Sequence, residues 1–167
     1  MTYTYRIATL NINGLESTNR KLMLEEFIRK HDIDIAMLQE VTNVHSITMN
    51  GYQVIDNVGT MGRGTAILHK EDIQMHTIRR LPSGRGIAVY YNSICFINIY
   101  ASSGTSKRMD REKFFNLDII NIIPQTPAEI ILAGDFNCVQ SDSDCTGHRY
   151  SSRTLEKLLQ GLKLKDV

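Results

Sequence analysis

The sequence has 167 residues, 42% of them hydrophobic and 22% charged, with a formal net charge of +1. That is enough chain for one domain with a real core, and it is too apolar and too evenly charged for a disordered or wholly basic protein. Binding to a phosphate backbone would need a local basic face within a near-neutral total. Three cysteines, Cys95, Cys138 and Cys145, form no CxxC pair, and no histidines sit at zinc spacing. This predicts a reducing, intracellular compartment with no disulfide framework, and Cys95 as a small core residue in the run ICFINIY. The opening MTYTYRIATLNING carries no basic-then-apolar signal pattern. No apolar run reaches the roughly 18–20 residues that span a bilayer, so the expectation is a soluble chain with no membrane partner.

In chain order, YRIATLNI is a first strand. Residues 19–30 form a helix with Leu24, Phe27 and Ile28 on one face and Lys21, Glu25 and Arg29 on the other. IDIAMLQ is a second strand, apolar enough to be central in a sheet. YQVID, GTAILHK, IQMHTI, GIAVYY and ICFINIY follow as strands separated by Gly, Asn and Ser, as hairpins require. Residues 110–123 form a helix with an acidic start, ended by Pro124. EIILA is a last strand, and residues 153–162 a last helix that buries Leu155, Leu158, Leu159 and Leu162. This order predicts an α/β fold: two mixed β-sheets packed face to face with helices outside, a four-layer sandwich. The chain stops at LKLKDV, which reads as the lead into another element. The expectation is one domain over residues 1–167 that lacks its last strands.

Four strand ends carry polar residues that a sheet does not need. The first closes on LNINGL, with Asn11 and Asn13. The second closes on LQEV, with Gln39 and Glu40. ICFINIY closes on Tyr100, and EIILA runs into GDFN, with Asp135 and Asn137. Ligand sites of α/β sheets form outside the carboxyl ends of strands. The set is oxygen-rich, with two carboxylates and neither thiolate nor histidine pair, which suits Mg²⁺ or Mn²⁺ and phosphoryl chemistry. Each piece alone has a plainer explanation: NxNG is a turn, LQE a strand entering a loop, Tyr100 packing, and GDFN a turn capped by its own aspartate. The four in this order favour function. On this reading Gly134 lets the backbone turn sharply, an apolar strand anchors Asp135 in the core, and Phe136 packs inward.

The motifs LNINGL, LQEV, RGTAIL, NIYAS and LAGDFN resemble the endonuclease/exonuclease/phosphatase superfamily, which includes apurinic/apyrimidinic endonucleases and DNase I. With GRGTAIL, the chain looks most like the endonuclease domain of non-LTR (LINE-type) retrotransposon polyproteins. The resemblance implies a role for each matching residue. Glu40 would be the principal Mg²⁺ ligand, with Asn11 near the metal-bound water or phosphate. Asp135 would orient or deprotonate the attacking water, Asn137 would hold the phosphate or that water, and Tyr100 would donate its hydroxyl to the phosphate. Asn13 is a weaker candidate that serves the turn. The implied reaction is a DNA nick leaving a 3′-hydroxyl that primes reverse transcription, with the reverse transcriptase of the same polyprotein as partner and a nuclear location. The family's closing Ser-Asp-His segment has no match here. His148 comes too early and lacks the aspartate, while His31, His45, His69 and His76 precede GDFN.

Basic residues cluster in expected loops, at Arg79, Arg80 and Arg85, at Lys107, Arg108 and Arg111, and at Arg149 and Arg153, where loops at one rim could meet DNA phosphates. SSGTSKR, directly after Tyr100, is the preferred DNA contact, through Lys107 and Arg108. Ser102 and Ser103 stand where the family carries a proline. The rival expectations are an abasic-site repair endonuclease, a lipid or inositol phosphodiesterase of the same superfamily, and a truncated, inactive retroelement fragment with at most weak DNA binding.

Overall fold

The computed structural model describes residues 4–42, 47–60, 62–126, 128–139 and 150–166; His45, Cys145, His148 and Arg149 lie outside the described residues. The elements are β1 (Ile7–Asn11), α1 (Thr18–Lys30), β2 (Ile35–Val41), β3 (Tyr52–Val58), β4 (Gly64–Lys70), β5 (His76–Arg80), β6 (Gly86–Tyr91), β7 (Ile94–Tyr100), α2 (Arg108–Lys113), β8 (Glu129–Asp135) and α3 (Arg153–Gly161). They build two four-stranded sheets, ordered β1-β2-β4-β3 and β5-β6-β7-β8. Both are mixed: β1 runs parallel to β2 and β7 parallel to β8, while the hairpin-linked neighbours are antiparallel. The sandwich expected from the element order is the one observed.

The inner strands β2, β4, β6 and β7 are apolar almost throughout because both of their faces are covered. Ile35, Met37, Ile67, Ile87, Val89 and Phe96 meet between the sheets. Ile28 of α1, with Leu24 and Phe27, covers the outer face of the first sheet. Phe114, Phe115, Ile119 and Leu155 cover the second, where Cys95 is a core residue as expected. Burial pushes the Cys95 thiol up to about 11, so it stays protonated and inert. Ser17 and Ser152 cap α1 and α3, their hydroxyls accepting from the amides of Arg20 and Leu155.

Four local expectations change. Residues 110–123 are not one regular helix: α2 gives way to a wide π turn over Phe114–Asp118 and a tight 3₁₀ turn over Ile119–Asn121. The wide turn starts at two adjacent aromatic residues, Phe114 and Phe115, that are both packed against the sheet. Arg79 and Arg80 lie inside β5 and not in a loop. Gly134 is not a turn residue but the sixth residue of β8, with φ +140°. Its role is close approach, since a Cβ there would stand 2.0 Å from the carbonyl oxygen of Ile99 on β7. Finally, β8 is not deep in the core. It is the edge of its sheet and only half-buried, as β1 is the edge of the other.

Three buried amides tie the sheets together. Gln39 Nε2 donates to Asn98 Oδ1 (2.8 Å), Thr9 Oγ1 (3.0 Å) and the Met37 carbonyl (2.9 Å). Asn98 Nδ2, from the opposite sheet, donates to the carbonyls of Leu38 (2.9 Å) and Ala66 (2.8 Å). Asn57 Nδ2 makes a similar tie to the carbonyls of Leu81 and Gly86, both at 2.8 Å. At the amino end of the first sheet's β1 and β2, Lys70 pairs with Asp32 (2.8 Å) and Asp34 (2.7 Å), and Arg6 pairs with Asp32 (2.7 Å). The Lys70 ammonium holds the Asp32 carboxyl below its ordinary value of 3.8, and its own pKa is raised in return.

Three outcomes are expected. Asn98→Ala removes the cross-sheet acceptor of Gln39 and the side-chain donor to the Leu38 and Ala66 carbonyls in a dry interior; it should lower the urea midpoint at unchanged m-value, a loss of about 3 kcal/mol of stability. Gly134→Ala destabilises by about 2 kcal/mol or more, read the same way, from the positive φ and the clash with Ile99. A group with a depressed pKa stabilises above its unfolded value and loses that contribution as pH falls through the folded one. The Tm difference between wild type and Asp32→Asn should therefore be present at neutral pH, shrink as pH drops below 3.8, and shrink in high salt.

Candidate active site

The carboxyl ends of β1, β2, β7 and β8 meet at one end of the sandwich. β1 and β8 are the edges of their two sheets, and parallel pairing sets the level of each side chain: Asn11 is opposite Gln39, and Tyr100 is opposite Asp135. The link is Asn11. Its Nδ2 donates to Glu40 Oε1 (3.0 Å) on its own sheet and to Asp135 Oδ2 (2.8 Å) on the other. One amide thus bridges two carboxylates that come from strands 95 residues apart in sequence, the difference between 135 and 40.

Glu40 reaches this place through a bulge. Gln39 pairs with Thr65 and Val41 with Gly64, which leaves Glu40 as the extra residue. Its φ is +57°, a left-handed conformation that a glutamate seldom adopts; the amide of Gly14 holds its carbonyl at 2.9 Å. Asn13 (φ +44°) and Asn137 (φ +49°) share that conformation. Backbone strain gathered at one spot is a mark of functional sites.

The turns foreseen as plain explanations are also present. Asn11 Oδ1 accepts from the amide of Asn13 (3.0 Å), and Asp135 Oδ1 accepts from the amide of Asn137 (3.1 Å). Each side chain therefore shapes its own loop with one atom and crosses the site with the other. Asn137 Nδ2 donates to the Ala101 carbonyl at 2.8 Å, which locks the GDFN turn to the strand end beyond Tyr100. Phe136 points inward and stacks near Phe115, as expected.

Sequence reasoning passed over Arg63. It lies at the entrance to β4, forms an ion pair with Glu40 Oε2, and donates to Asn13 Oδ1 at 3.2 Å. The signal was available in GRGTAIL, whose arginine precedes a strand paired with the one that ends in Glu40. Gly64 after it is forced, because a Cβ would sit 2.0 Å from the Asn57 carbonyl oxygen.

The loop after Tyr100 is held from beneath. Arg111 is 3% exposed and donates to the carbonyls of Ser102 and Gly104, both at 2.7 Å, while Arg85 donates to the Ser102 hydroxyl. Ser102 therefore anchors the loop. Arg108 and Arg111 both lie over the ring of Tyr150, 4.8 and 4.4 Å from its centroid, and the Tyr150 hydroxyl donates to Glu112. Burial and the bond to Glu112 raise the Tyr150 phenol, which keeps its proton.

The basic groups divide accordingly. Arg111 is structural, Arg79 and Arg80 donate to the carbonyls of Ile123 and Asp56, and Arg85 serves Ser102. Lys107 and Arg108 are exposed on the segment that follows Tyr100, Lys107 beside Asp110, and neither joins the Asn11 network. An open depression lined by Gly134, Asp135, Asn137 and Tyr150 lies next to the site. Among the described residues there is no group of three or more His, Cys, Asp or Glu that could hold a metal ion. The donors present are one largely buried carboxylate on β2, a second on β8, and amides. Such a set fits a hard cation that keeps most of its waters, since Mg²⁺ is commonly held by one or two carboxylates. Glu40, and Asn11 through its Oδ1, are the residues that could hold one.

Solved structures share this fold. The chain is similar to a 3′ phosphatase, NExo, from Neisseria, solved bound to a product DNA hairpin: 20% identity, TM-score 0.76, over 96% of this chain and 70% of that one. It is similar to an AP endonuclease from Archaeoglobus fulgidus at 19% identity and TM-score 0.66, over 94% and 70%. A humanized D. rerio TDP2 matches at 19% identity and TM-score 0.63, over 84% of this chain and 64% of that one. The chain thus spans roughly two-thirds of the length of these proteins. Residues 8–155 match the model of the Endonuclease/Exonuclease/phosphatase family, and the chain belongs to that family.

Proposed function

We propose that this chain is a divalent-metal-dependent phosphodiesterase domain that nicks DNA and leaves a 3′-hydroxyl. The observation that carries the reading is Asn11 bridging Glu40 and Asp135 at the shared end of both sheets, level with Tyr100. Enzymes of the family generally depend on a divalent metal. Mg²⁺ or Mn²⁺ held by Glu40 and Asn11 would supply neutralisation of phosphate charge. Asp135, aimed by the Asn11 amide and the Asn137 backbone, orients the attacking water and takes its proton. Asn137 and Tyr100 hold the phosphate oxygens, the phenol donating as charge builds on them. Lys107 and Arg108, exposed just beyond Tyr100, meet backbone phosphates and position the strand.

Within this reading, the GRGTAIL texture supports a LINE-type element. Its nick would prime the reverse transcriptase of the same polyprotein in the nucleus. The similarity to an AP endonuclease supports repair of abasic sites instead, and a lipid or inositol phosphodiester is the remaining superfamily substrate. The rival from a different class is a non-enzymatic retroelement fragment with at most weak DNA binding.

Supercoiled plasmid in Mg²⁺ separates these readings. Wild type should nick it, with Glu40→Ala and Asp135→Ala each losing about 100-fold or more. Intact plasmid cut as readily as abasic plasmid points to the retroelement role, and abasic preference to repair. Absence of nicking by chains that circular dichroism shows to be folded would establish the fragment reading. Tyr100→Phe is expected to slow nicking by roughly 10- to 100-fold without moving the urea midpoint, because it removes only a hydrogen-bond donor.

A further inference from the structure

The Glu40 carboxylate has a protein donor on each oxygen. Asn11 Nδ2 takes Oε1, and the Arg63 guanidinium takes Oε2 while also contacting Asn13 Oδ1. The arrangement is built into the sheet. Gly64 pairs with Val41 directly beside the bulge that ejects Glu40, so the residue before Gly64 must emerge next to that carboxylate. The two partners differ in freedom: the Glu40 side chain is 14% exposed and that of Arg63 is 48% exposed. A carboxylate so nearly buried is costly without a counter-charge, and a guanidinium half in water can leave at little cost.

From this we infer that Arg63 is a displaceable counter-cation of Glu40, and that it sets the affinity of the site for its divalent metal. This rests on the reading of Glu40 as a metal ligand. Arg63 satisfies Oε2 when the metal is absent. A divalent cation held by Glu40 would compete with the guanidinium for the carboxylate charge, and Coulomb repulsion between the two cations would favour Arg63 moving outward. Arg63 therefore lowers metal affinity and keeps the carboxylate ordered between binding events. Its freed guanidinium then lies at the rim of the site, with its charge available to an anion.

The test is Mn²⁺ binding, followed by loss of the free-ion electron paramagnetic resonance signal, with no DNA and no turnover. It compares wild type, Arg63→Met, Arg63→Gln, Arg63→Lys and Glu40→Gln, each first shown to be folded by circular dichroism. Loss of the competing charge should tighten Mn²⁺ binding roughly five- to tenfold in both neutral variants. Arg63→Lys should stay within about twofold of wild type, since it keeps the charge. Glu40→Gln should abolish the site. If the neutral variants bind as wild type does, or more weakly, Arg63 is not a competitor and the inference is overturned, while loss of binding in Glu40→Gln still upholds the metal reading. If Glu40→Gln binds Mn²⁺ as wild type does, the metal reading fails and the inference falls with it.

Discussion

The structure hangs on the hydrogen bond between Gln39 and Asn98. Two sheets packed through branched aliphatic side chains can slide, because apolar contact has no direction. An amide pair in the dry space between them cannot, since each slip would strand a buried donor or acceptor at about 1–3 kcal/mol per group. Gln39 immediately precedes Glu40, and Asn98 lies two residues before Tyr100 and opposite Ala133, two residues before Asp135. Fixing the one pair fixes the relative height of every polar residue at the carboxyl end. The same two side chains also satisfy the carbonyls of Met37, Leu38 and Ala66, so the tie leaves none of these groups stranded.

The site is assembled from side chains that each have two jobs. Asn11 and Asp135 close their own turns with one oxygen, and with the other end they meet across the gap between sheets. This economy explains why the turn and the chemistry are hard to tell apart in LNING and GDFN: the same residue type serves both. The left-handed conformations at Asn13, Glu40 and Asn137 follow from it, because a chain leaving a strand must reverse within two or three residues while still presenting a side chain inward. Asparagine bears that conformation easily; Glu40 bears it because the bulge and the Gly14 amide hold it.

Much of the fold was legible in the chain. The order of strands and helices, the central position of IDIAMLQ and the hairpin block from Tyr52 to Tyr100 follow from periodicity and from Gly, Asn and Ser between runs. The candidate residues Asn11, Glu40, Tyr100, Asp135 and Asn137 also gather at one end, because each closes a strand. The errors share a cause. The expectation for EIILA is a strand that anchors Asp135 in the core, yet β8 is half-buried and, among the described residues, pairs only with β7, since composition reports an affinity for burial and topology sets the neighbours. Gly134 looked like a hinge and is a contact, because backbone approach from Ile99 is invisible along the chain. Arg111 looked like a phosphate contact and is a buried clamp for the loop after Tyr100, because nothing local says where a guanidinium ends.

The sequence by itself determined the class of the protein: two mixed sheets, helices outside, and an oxygen-rich set of residues at strand ends. Those properties depend on side-chain period, turn chemistry and residue type, which are local. Only the tertiary structure decided which atom of Asn11 faces which carboxylate, that Arg63 covers the second oxygen of Glu40, and that Gln39 and Asn98 hold the sheets in register. These are contacts between residues tens of positions apart. Their geometry is set by strand pairing and by the need to satisfy every buried polar group at once, and no stretch of sequence carries that condition alone.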